Sequence, residues 1–305
     1  MSRTATVTCL TGAGTAPELM AEAVLALDAV ARLHGLHIEE THVPFGGVAV
    51  ARAGQSVPAS TRAAILGADA VLVAGAEEPA LAEVMTELDL RAQVTRVRFG
   101  HDDDVAFVSP LASGATEWTA EAAFRIAESR TMRLASVGDA PWNDVVDAVA
   151  AQHEHVRVEH LPPKMAIPLA AFNASRFDVV AVAPAWAEAM VEIAAAPAAA
   201  RVAAHGLLSE HGPSLFVSSP DGGFALAGSG VVNPSSMLLA ASMMLSHGLD
   251  APAAGATLAS AVSAALVDGP QTPDLLRRGI GATSREFTSR VVAGFQLSQP
   301  WAGAA

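Results

Sequence analysis

The chain has 305 residues, of which 31 are acidic and 18 are lysine or arginine, so its net charge is −13. This negative charge argues against binding to nucleic-acid backbones, and hydrophobic residues, at 51%, are too abundant for a disordered protein. No apolar run reaches membrane-spanning length, and the single cysteine, Cys9, excludes an internal disulfide and a multi-cysteine metal cluster.

Hydrophobic patterning predicts strands that alternate with helices along most of the chain. Up to residue 110 we expect strands at 4–10, 37–45, 69–76, 95–100 and 104–110, and helices at 17–34, 57–68 and 79–90. Beyond it we expect strands at 132–138, 156–161, 177–184 and 215–219, and helices at 119–130, 142–153, 235–248, 251–267 and 284–296. This alternation predicts an α/β fold with mostly parallel sheets.

Two glutamates, Glu188 and Glu192, follow the strand at 177–184 on a further predicted helix. They are four residues apart and therefore share one helix face. Like charges at this spacing repel by roughly 0.2–0.5 kcal/mol, and a bound cation would relieve that repulsion. The pair is consistent with metal ligands, with catalytic carboxylates that need no metal, or with a polar stripe on an alanine-rich helix.

Several longer segments carry a resemblance to a known family. They include CLTGAGTAPELMAEAVLALDAVARLHGL, PFGGVAV, GQSVPASTRAAILGADAVLVAGA, LDLRAQV, KMAIPL, FDVVAVAP and LAGSGVVNPSSMLLAASMMLSHG, and they span nearly the whole chain. The chain resembles the decarboxylating β-hydroxyacid dehydrogenases, which include isopropylmalate and isocitrate dehydrogenases. The resemblance implies a two-domain α/β fold with an interdomain cleft, a larger domain at 1–96 and 204–305, and a smaller domain at 97–203 that carries the contacts of a homodimer.

The chemistry implied by this resemblance is oxidation of a hydroxyl by NAD(P) followed by loss of CO2, with a divalent cation, substrate-binding arginines, a tyrosine and a lysine. This sequence departs from that pattern, since it has no tyrosine and only one lysine, Lys164. By the resemblance, Met85, Thr95 and Ser109 stand where the family has arginines, and Gly138 or Asp139 stands where it has the lysine. Pro184 stands at the asparagine position, and Pro163 stands at the first metal-aspartate position. The other two metal aspartates correspond to Glu188 and Glu192.

The cofactor side departs in the same way. The family's His-Gly-Ser-Ala-Pro-Asp run corresponds to residues 220–225, which read PDGGFA, and only Asn233 keeps its place as a cofactor-binding residue. The glycine-rich stretch at 218–230 could place backbone amides around an anion, or it could simply form turns. We therefore expect no cofactor, with NAD and Mg²⁺ as the alternative.

Two more residues are candidates for catalysis. Asp139 could act as an acid or base in the cleft, or it could be a turn residue bonded to its own backbone. Lys164 lies in a segment that, by the resemblance, reaches the partner subunit's cleft. There it could pair with Glu188 or Glu192 in place of a cation; otherwise it is a surface lysine.

Three residues are candidates for contact with a substrate. Arg96 stands one position from a family arginine, and Thr15 lies in the glycine-rich first turn. Trp186 stands at the end of a predicted strand, where it could form the floor of an apolar pocket or part of the core.

We therefore predict a repurposed enzyme that performs non-redox acid–base chemistry, such as a cyclisation, elimination or isomerisation, on a small, rather apolar metabolite of specialised metabolism. The alternatives are an NAD-dependent decarboxylating dehydrogenase of a 2-hydroxy acid and a non-catalytic partner subunit. We expect a small-molecule substrate and a homodimer, and neither nucleic acid nor a membrane as partner. The start, MSRTATVTCLTGAG, is too short and polar for a signal peptide, which favours the cytoplasm.

Overall fold

The computed structural model describes residues 4–75, 78–99, 103–196, 200–218, 224–276 and 280–297. Its strands are β1 (Thr4–Thr11), β2 (His37–Pro44), β3 (Ala70–Ala74), β4 (Leu90–Phe99), β5 (Asp103–Pro110), β6 (Arg133–Val137), β7 (Arg157–Leu161), β8 (Val179–Val182), β9 (Ala200–Ser209) and β10 (Ser214–Ser218). Its α-helices are α1 (Ala16–His34), α2 (Gly46–Ala53), α3 (Ala59–Leu66), α4 (Glu78–Met85), α5 (Thr116–Glu128), α6 (Ala140–Ala150), α7 (Pro163–Asn173), α8 (Ala187–Ala195), α9 (Ser235–Met243), α10 (Pro252–Asp268) and α11 (Ser284–Leu297).

The chain divides into two compact units. The first comprises the residues up to Asp89 and from His211 onward, and the second comprises Leu90–Glu210. The sequence-based boundaries, after residues 96 and 203, lie inside β4 and β9. These two strands pair with each other along nearly their whole length, so both belong entirely to the second unit and the observed boundaries fall at their ends.

Four parallel strands in the order β2-β1-β3-β10 form the sheet of the first unit. β3 and β10 are buried throughout, as is usual for parallel strands covered on both faces. All nine residues of α9 are buried, and this helix packs against β3 and β10, while α10 and α11 pack against each other and against α1. Among the described helices, none combines the length and the apolarity that a bilayer crossing requires.

The turn after β1 depends on Gly12. Its amide donates a hydrogen bond to the carbonyl of Ala74 at 3.0 Å, and a Cβ atom at this position would lie 2.4 Å from the carbonyl oxygen of Gly75. Gly75 itself has a φ of 69°, in the left-handed region that favours glycine. The glycine-rich opening therefore brings the ends of β1 and β3 close together, after which α1 begins with Pro17 in its first turn.

Six strands in the order β9-β4-β5-β8-β6-β7 form the sheet of the second unit. β4 is antiparallel to β5 and β9, whereas β5, β8, β6 and β7 are parallel to one another. α5 packs against α6, and α7 packs against α8. β5 is connected to α5 by residues 111–115.

One face of this second sheet is covered by α7 and α8. Its core contains Val97 of β4 and Phe107 of β5, packed with Met190 of α8. Successive side chains of a strand point to opposite faces, so Thr95 shares the face of Val97 while Arg96 points to the other. This alternation decides which polar residues of β4 can meet those of α8.

Most of the predicted elements are confirmed, but α2, α7 and β9 were not anticipated. β9 reads ARVAAHGLLS, and its alanines and glycine have little intrinsic preference for a strand. The segment is a strand because it pairs with β4. The helix predicted at 235–248 divides into α9 and a π-helical turn, Met244–Gly248.

Candidate active site

A cavity of about 440 Å³ opens within the second unit, at the carboxyl ends of β5 and β8. Ligands of open α/β sheets commonly bind at this end of the strands. Apolar side chains and prolines make up most of its lining. The polar residues of the lining are Glu188, Glu192, His205, Gln93, Thr95 and Ser109.

The two glutamates lie on α8, which follows β8 after a short 3₁₀ turn, Pro184–Trp186. Both are exposed and both line the cavity, in keeping with their four-residue spacing on one helix face. Glu188 stands in the first turn of α8, where the partial positive charge of a helix N-terminus favours a carboxylate. One wall of the cavity therefore carries two carboxylates.

Three polar side chains of β4 and β9 form a connected chain in the same cavity. The Gln93 amide nitrogen donates to Thr95 Oγ1 at 3.0 Å, and Thr95 Oγ1 lies 3.1 Å from His205 Nδ1. These contacts accommodate the arrangement in which the Thr95 hydroxyl accepts from Gln93 and donates to Nδ1, with the imidazole proton on Nε2. Among the described residues, Nε2 has no hydrogen-bond partner.

His205 is neutral at neutral pH. Burial lowers its pKa below the ordinary value, because desolvation disfavours the charged imidazolium. A neutral imidazole with a free Nε2–H can donate a hydrogen bond to an oxygen of a ligand on which negative charge develops. The cavity therefore combines an imidazole that can donate from Nε2 with two carboxylates that can accept a proton.

A sequence model of the isocitrate/isopropylmalate dehydrogenase family matches residues 100–291, which is more than half of the chain. The chain belongs to the isocitrate/isopropylmalate dehydrogenase family. It is 30% identical to the 3-isopropylmalate dehydrogenase of a Synechococcus strain, over 90% of this chain and 94% of that protein. It is 27% identical to the 3-isopropylmalate dehydrogenase of Bacillus cereus, over 94% of this chain and 95% of that protein.

Solved structures show the fold of this family. The β-decarboxylating dehydrogenase of Thermococcus kodakarensis matches with a TM-score of 0.81 at 20% identity, over 99% of both chains. The isocitrate dehydrogenase of Methylococcus capsulatus matches with a TM-score of 0.76 at 17% identity, over 96% of this chain and 99% of that one. At such low identities the likeness establishes the fold and leaves the activity open.

Several residues that the sequence resemblance assigns to functional positions of the family line the cavity. They are Thr95 and Ser109, assigned to arginine positions, Pro184, assigned to the asparagine position, and Glu188 and Glu192, assigned to metal-aspartate positions. Within the described part of the chain, neither arginine nor lysine contributes to this lining.

Glu188 and Glu192 can supply only some of the oxygen ligands that a divalent cation requires. Mg²⁺ prefers about six oxygen ligands in octahedral geometry. Glu188 and Glu192 supply carboxylate oxygens of suitable chemistry, but in the described ranges no third histidine, cysteine or acidic side chain converges with them. A cation held there would depend on water or substrate for most of its ligands.

Arg96, a candidate for substrate binding, lies on the sheet face opposite the cavity. Its Nε donates to Asp104 Oδ2 at 2.5 Å, and Arg130 contacts the same carboxylate at 3.1 Å. The guanidinium is therefore part of an ion cluster with Asp104 and Arg130. The strand alternation that turns Thr95 toward the cavity turns Arg96 away from it.

Three further candidates are exposed and lie outside the lining of the cavity. Asp139 occupies the N-cap position of α6, where its carbonyl accepts from the Asn143 amide at 3.0 Å. Trp186, 39% exposed, lies in the turn before α8 and forms neither core nor cavity floor. Lys164 stands in the first turn of α7. Its predicted pairing with Glu188 or Glu192 would join it to a partner subunit.

Thr15 and Asn233 lie in the first unit. Thr15 is buried at the N-cap position of α1, and its carbonyl accepts from the Glu18 amide at 3.1 Å. The Asn233 side chain donates to Asp274 Oδ2 at 3.0 Å and accepts from the Ser235 amide at 2.9 Å. The NH2 group and the carbonyl oxygen of the Asn233 side chain are therefore both engaged in the loop contacts that precede α9.

The glycine-rich segment before Asn233 surrounds an anion that belongs to the chain itself. The Glu18 carboxylate accepts hydrogen bonds from the backbone amides of Gly228 and Gly230, the latter at 2.8 Å. This contact ties α1 to the loop that precedes α9. Residues 220–223, where the resemblance places part of a cofactor site, lie outside the described residues.

His205 is the functional candidate that sequence reasoning missed. It lies in β9, a strand that hydrophobic patterning did not predict, between an alanine and a glycine. The signal that identifies it is its position directly opposite Thr95 in the antiparallel pair of β4 and β9. That signal exists only once the pairing of the strands is known.

Proposed function

We propose that the chain uses this cavity for acid–base chemistry on a small, mostly apolar molecule, without hydride transfer to a nicotinamide. Candidate reactions are a cyclisation, an elimination or an isomerisation, in which a proton leaves one atom and is delivered to another. The observation that carries the proposal is the composition of the lining: two carboxylates and a neutral imidazole among apolar side chains.

The charge of the lining disfavours malate-type substrates. Proteins usually hold substrate carboxylates with arginines, often as bidentate pairs. Here the ionisable side chains are Glu188, Glu192 and a neutral His205, so a dianion would meet negative charge and no described guanidinium. The neighbouring Phe107 and Val182 favour an uncharged ligand instead.

The side chains have separate roles in this proposal. Glu188 or Glu192 accepts a proton from a carbon or hydroxyl of the substrate, and the resulting carboxylic acid returns it at another position. His205 Nε2–H donates a hydrogen bond to the substrate oxygen that becomes negative, as a positioned donor in a partly desolvated site. Gln93 and Thr95 are positioning residues in this proposal, because Thr95 contacts Nδ1 and Gln93 contacts Thr95, which directs Nε2 to the substrate.

The family membership favours a different activity, namely an NAD-dependent decarboxylating dehydrogenase of a 2-hydroxy acid. In this alternative Glu188 and Glu192 would hold a divalent cation, which would supply Lewis-acid polarisation of the substrate. A non-catalytic partner subunit is the third possibility. The two experiments below separate these functions.

The purified protein is expected to leave NAD⁺ and NADP⁺ unreduced when 3-isopropylmalate, isocitrate or malate is supplied with Mg²⁺. Its melting temperature is expected to stay constant as NAD⁺ is added, since a ligand that binds the folded state would raise it. The Bacillus cereus 3-isopropylmalate dehydrogenase serves as the positive control. Formation of NADH, or a melting temperature that follows the NAD⁺ concentration, would establish the dehydrogenase instead.

Proton transfer is tested by NMR exchange of ligand C–H groups in D₂O, with a panel of uncharged ketones and keto esters as probes. The double variant Glu188→Gln/Glu192→Gln and the single variant His205→Gln are each expected to slow protein-dependent exchange by about 10²–10⁴-fold. Glu154→Gln, at an exposed position outside the cavity, is the matched control and should exchange like the wild type. No protein-dependent exchange with any probe would favour the partner-subunit function.

We also propose that the chain forms a homodimer through α7. Met165 and Phe172 are 52% and 90% exposed, and with the half-buried Leu169 they form an apolar stripe on one face of this helix. Contiguous exposed apolar surface of this kind marks interaction sites. α7 belongs to the second unit, in which the resemblance places the dimer contacts.

Phe172→Asp is expected to convert the dimer to a monomer. In the dimer, burial of the Phe172 ring would contribute about 1.5–3 kcal/mol, whereas an aspartate there would carry a charge that must be desolvated. Sedimentation velocity at micromolar concentration measures the change. Leu66→Asp, at a 58% exposed position on α3, should leave the dimer intact. A wild-type protein that sediments as a monomer would contradict the proposal.

A further inference from the structure

A second cavity, of about 640 Å³, lies at the other end of the same sheet. It is formed at the amino ends of β6 and β7 and by the residues just before β8. Three arginines line it, Arg133, Arg157 and Arg176, together with Glu159. The chain has only 18 lysines and arginines, so three around one cavity form a local concentration of positive charge in an acidic protein.

The first two arginines stand side by side. Arg133 and Arg157 are register partners in the parallel pair of β6 and β7, so their side chains leave the same sheet face about 5 Å apart at the backbone. That face is the one covered by α7, since Ala135 and Leu161, further along the same strands with the same alternation, belong to its core. Two like charges placed directly opposite each other on neighbouring strands destabilise a sheet unless a counter-charge is present.

No carboxylate in the described part of the chain neutralises this pair. Arg133 donates to the backbone carbonyl of Arg176 at 3.0 Å, and Arg157 makes no side-chain hydrogen bond or ion pair there. Glu159 is already engaged by Arg176, whose Nη2 lies 2.8 and 2.9 Å from its two carboxylate oxygens.

The remaining acid of the lining is committed elsewhere. Asp178 accepts from Arg130 Nε at 2.5 Å and from the Thr131 amide at 3.0 Å, and neither donor belongs to the cavity. The two exposed guanidiniums, Arg133 and Arg157, therefore face an open space without a counter-ion. Guanidinium groups match the planar oxygens of phosphates and carboxylates through paired hydrogen bonds.

We propose that this cavity binds a small molecule through an oxyanion group, a phosphate or a carboxylate, that bridges Arg133 and Arg157. Arg176, held in place by Glu159 and by the ring of Phe177 at 5.5 Å, forms the adjacent wall. The site lies at the amino ends of the strands, whereas the candidate active site lies at the carboxyl ends. It is therefore a separate binding site, and it does not depend on the function proposed above.

Isothermal titration calorimetry tests the proposal with sodium pyrophosphate and sodium citrate as probes at low salt. We expect saturable binding that weakens as the NaCl concentration rises, because partly exposed charges are screened. Arg133→Gln and Arg157→Gln should each weaken binding by at least about tenfold, since each removes charge-assisted hydrogen bonds. Tighter binding of pyrophosphate would assign the site to a phosphorylated molecule, and tighter binding of citrate to a polycarboxylate.

Arg52→Gln is the matched control, because Arg52 is exposed on α2 of the first unit and is not part of this lining. It removes the same charge from the protein but should leave both affinities unchanged. The melting temperature of each variant without ligand should be no lower than that of the wild type, because the substituted side chains are exposed and loss of Arg133 or Arg157 relieves the repulsion between them. Absence of saturable binding to the wild type, or equal weakening by Arg52→Gln, would overturn the proposal.

Discussion

Replacing Arg130 with methionine is expected to lower the free energy of unfolding by about 3 kcal/mol, the lower end of the cost of breaking a buried ion pair. Arg130 holds two carboxylates, with Nε 2.5 Å from Asp178 Oδ1 and Nη2 3.1 Å from Asp104 Oδ1. Both acids are largely shielded from water, so loss of the guanidinium leaves negative charge without adequate solvation. Urea denaturation followed by circular dichroism measures the loss.

Arg125→Met is the matched control for this prediction. Arg125 lies on α5, is 56% exposed at its side chain, and is 3.9 Å from Glu121 one turn away. Such surface pairs contribute little, so its replacement should cost less than about 0.5 kcal/mol. Equal losses in the two variants would contradict the importance of the buried cluster.

The pH dependence of stability gives an independent check on the same cluster. Burial alone would raise the pKa of Asp104, but Arg96 and Arg130 outweigh it and hold the pKa well below its ordinary value of 3.8. Ionised Asp104 therefore stabilises the fold above pH 3.8, and this contribution is lost as the pH falls through the lower pKa of the folded state. The difference between wild type and Arg130→Met should shrink in acid, and a constant difference would argue against this cause.

Truncation of Phe216 to alanine is expected to cost about 3–5 kcal/mol in the first unit, through lost apolar burial and the cavity that remains. Phe216 is fully buried on β10, and its ring packs against Gly248. A Cβ atom on Gly248 would lie 2.7 Å from Phe216 Cε2 and 3.1 Å from the Cβ of Ala70. The ring therefore fits only because residue 248 has no side chain.

A double-mutant cycle tests this explanation directly. Gly248→Ala alone should cost about 1–3 kcal/mol by overpacking. In the Phe216→Ala background the added methyl group enters the vacated space, so the same change should cost less. Urea denaturation of the four proteins measures the coupling, and strictly additive losses would show that the two residues do not compete for space.

The two cavities of the second unit have opposite electrostatic character. Glu188 and Glu192 line the one at the carboxyl ends of the strands, whereas Arg133 and Arg157 line the one at the amino ends. A ligand with an oxyanion group is therefore favoured at one site and disfavoured at the other. The two proposals therefore assign an uncharged ligand to the first cavity and an anionic ligand to the second.

Local sequence features predicted the elements whose cause is local. α1 begins beside Pro17 and ends before Gly35, whose φ of 65° is typical of a helix C-terminus. The four-residue spacing of Glu188 and Glu192 placed both on one face of α8. These predictions succeed because each depends on a few neighbouring residues and on the helical period of 3.6.

Predictions that depended on a distant partner were less secure. Arg96 was chosen as a substrate contact because it stands one position from a family arginine, yet the alternation of β4 turns Thr95 to the cavity and Arg96 to Asp104. Asn233 was kept as a cofactor residue, but its amide is used by Asp274 and Ser235. In each case the direction of a side chain was decided by the sheet or loop around it.

By itself the sequence determined the α/β class, the family and the absence of tyrosine, since these follow from composition, motif and hydrophobic period. Only the tertiary structure decided that β9 is a strand and that His205 faces the same cavity as the two glutamates. The reason is physical: Thr95 and His205 are 110 residues apart, and an antiparallel pairing joins them. The hydrophobic period and the turn residues of either segment do not indicate which strand it will pair with.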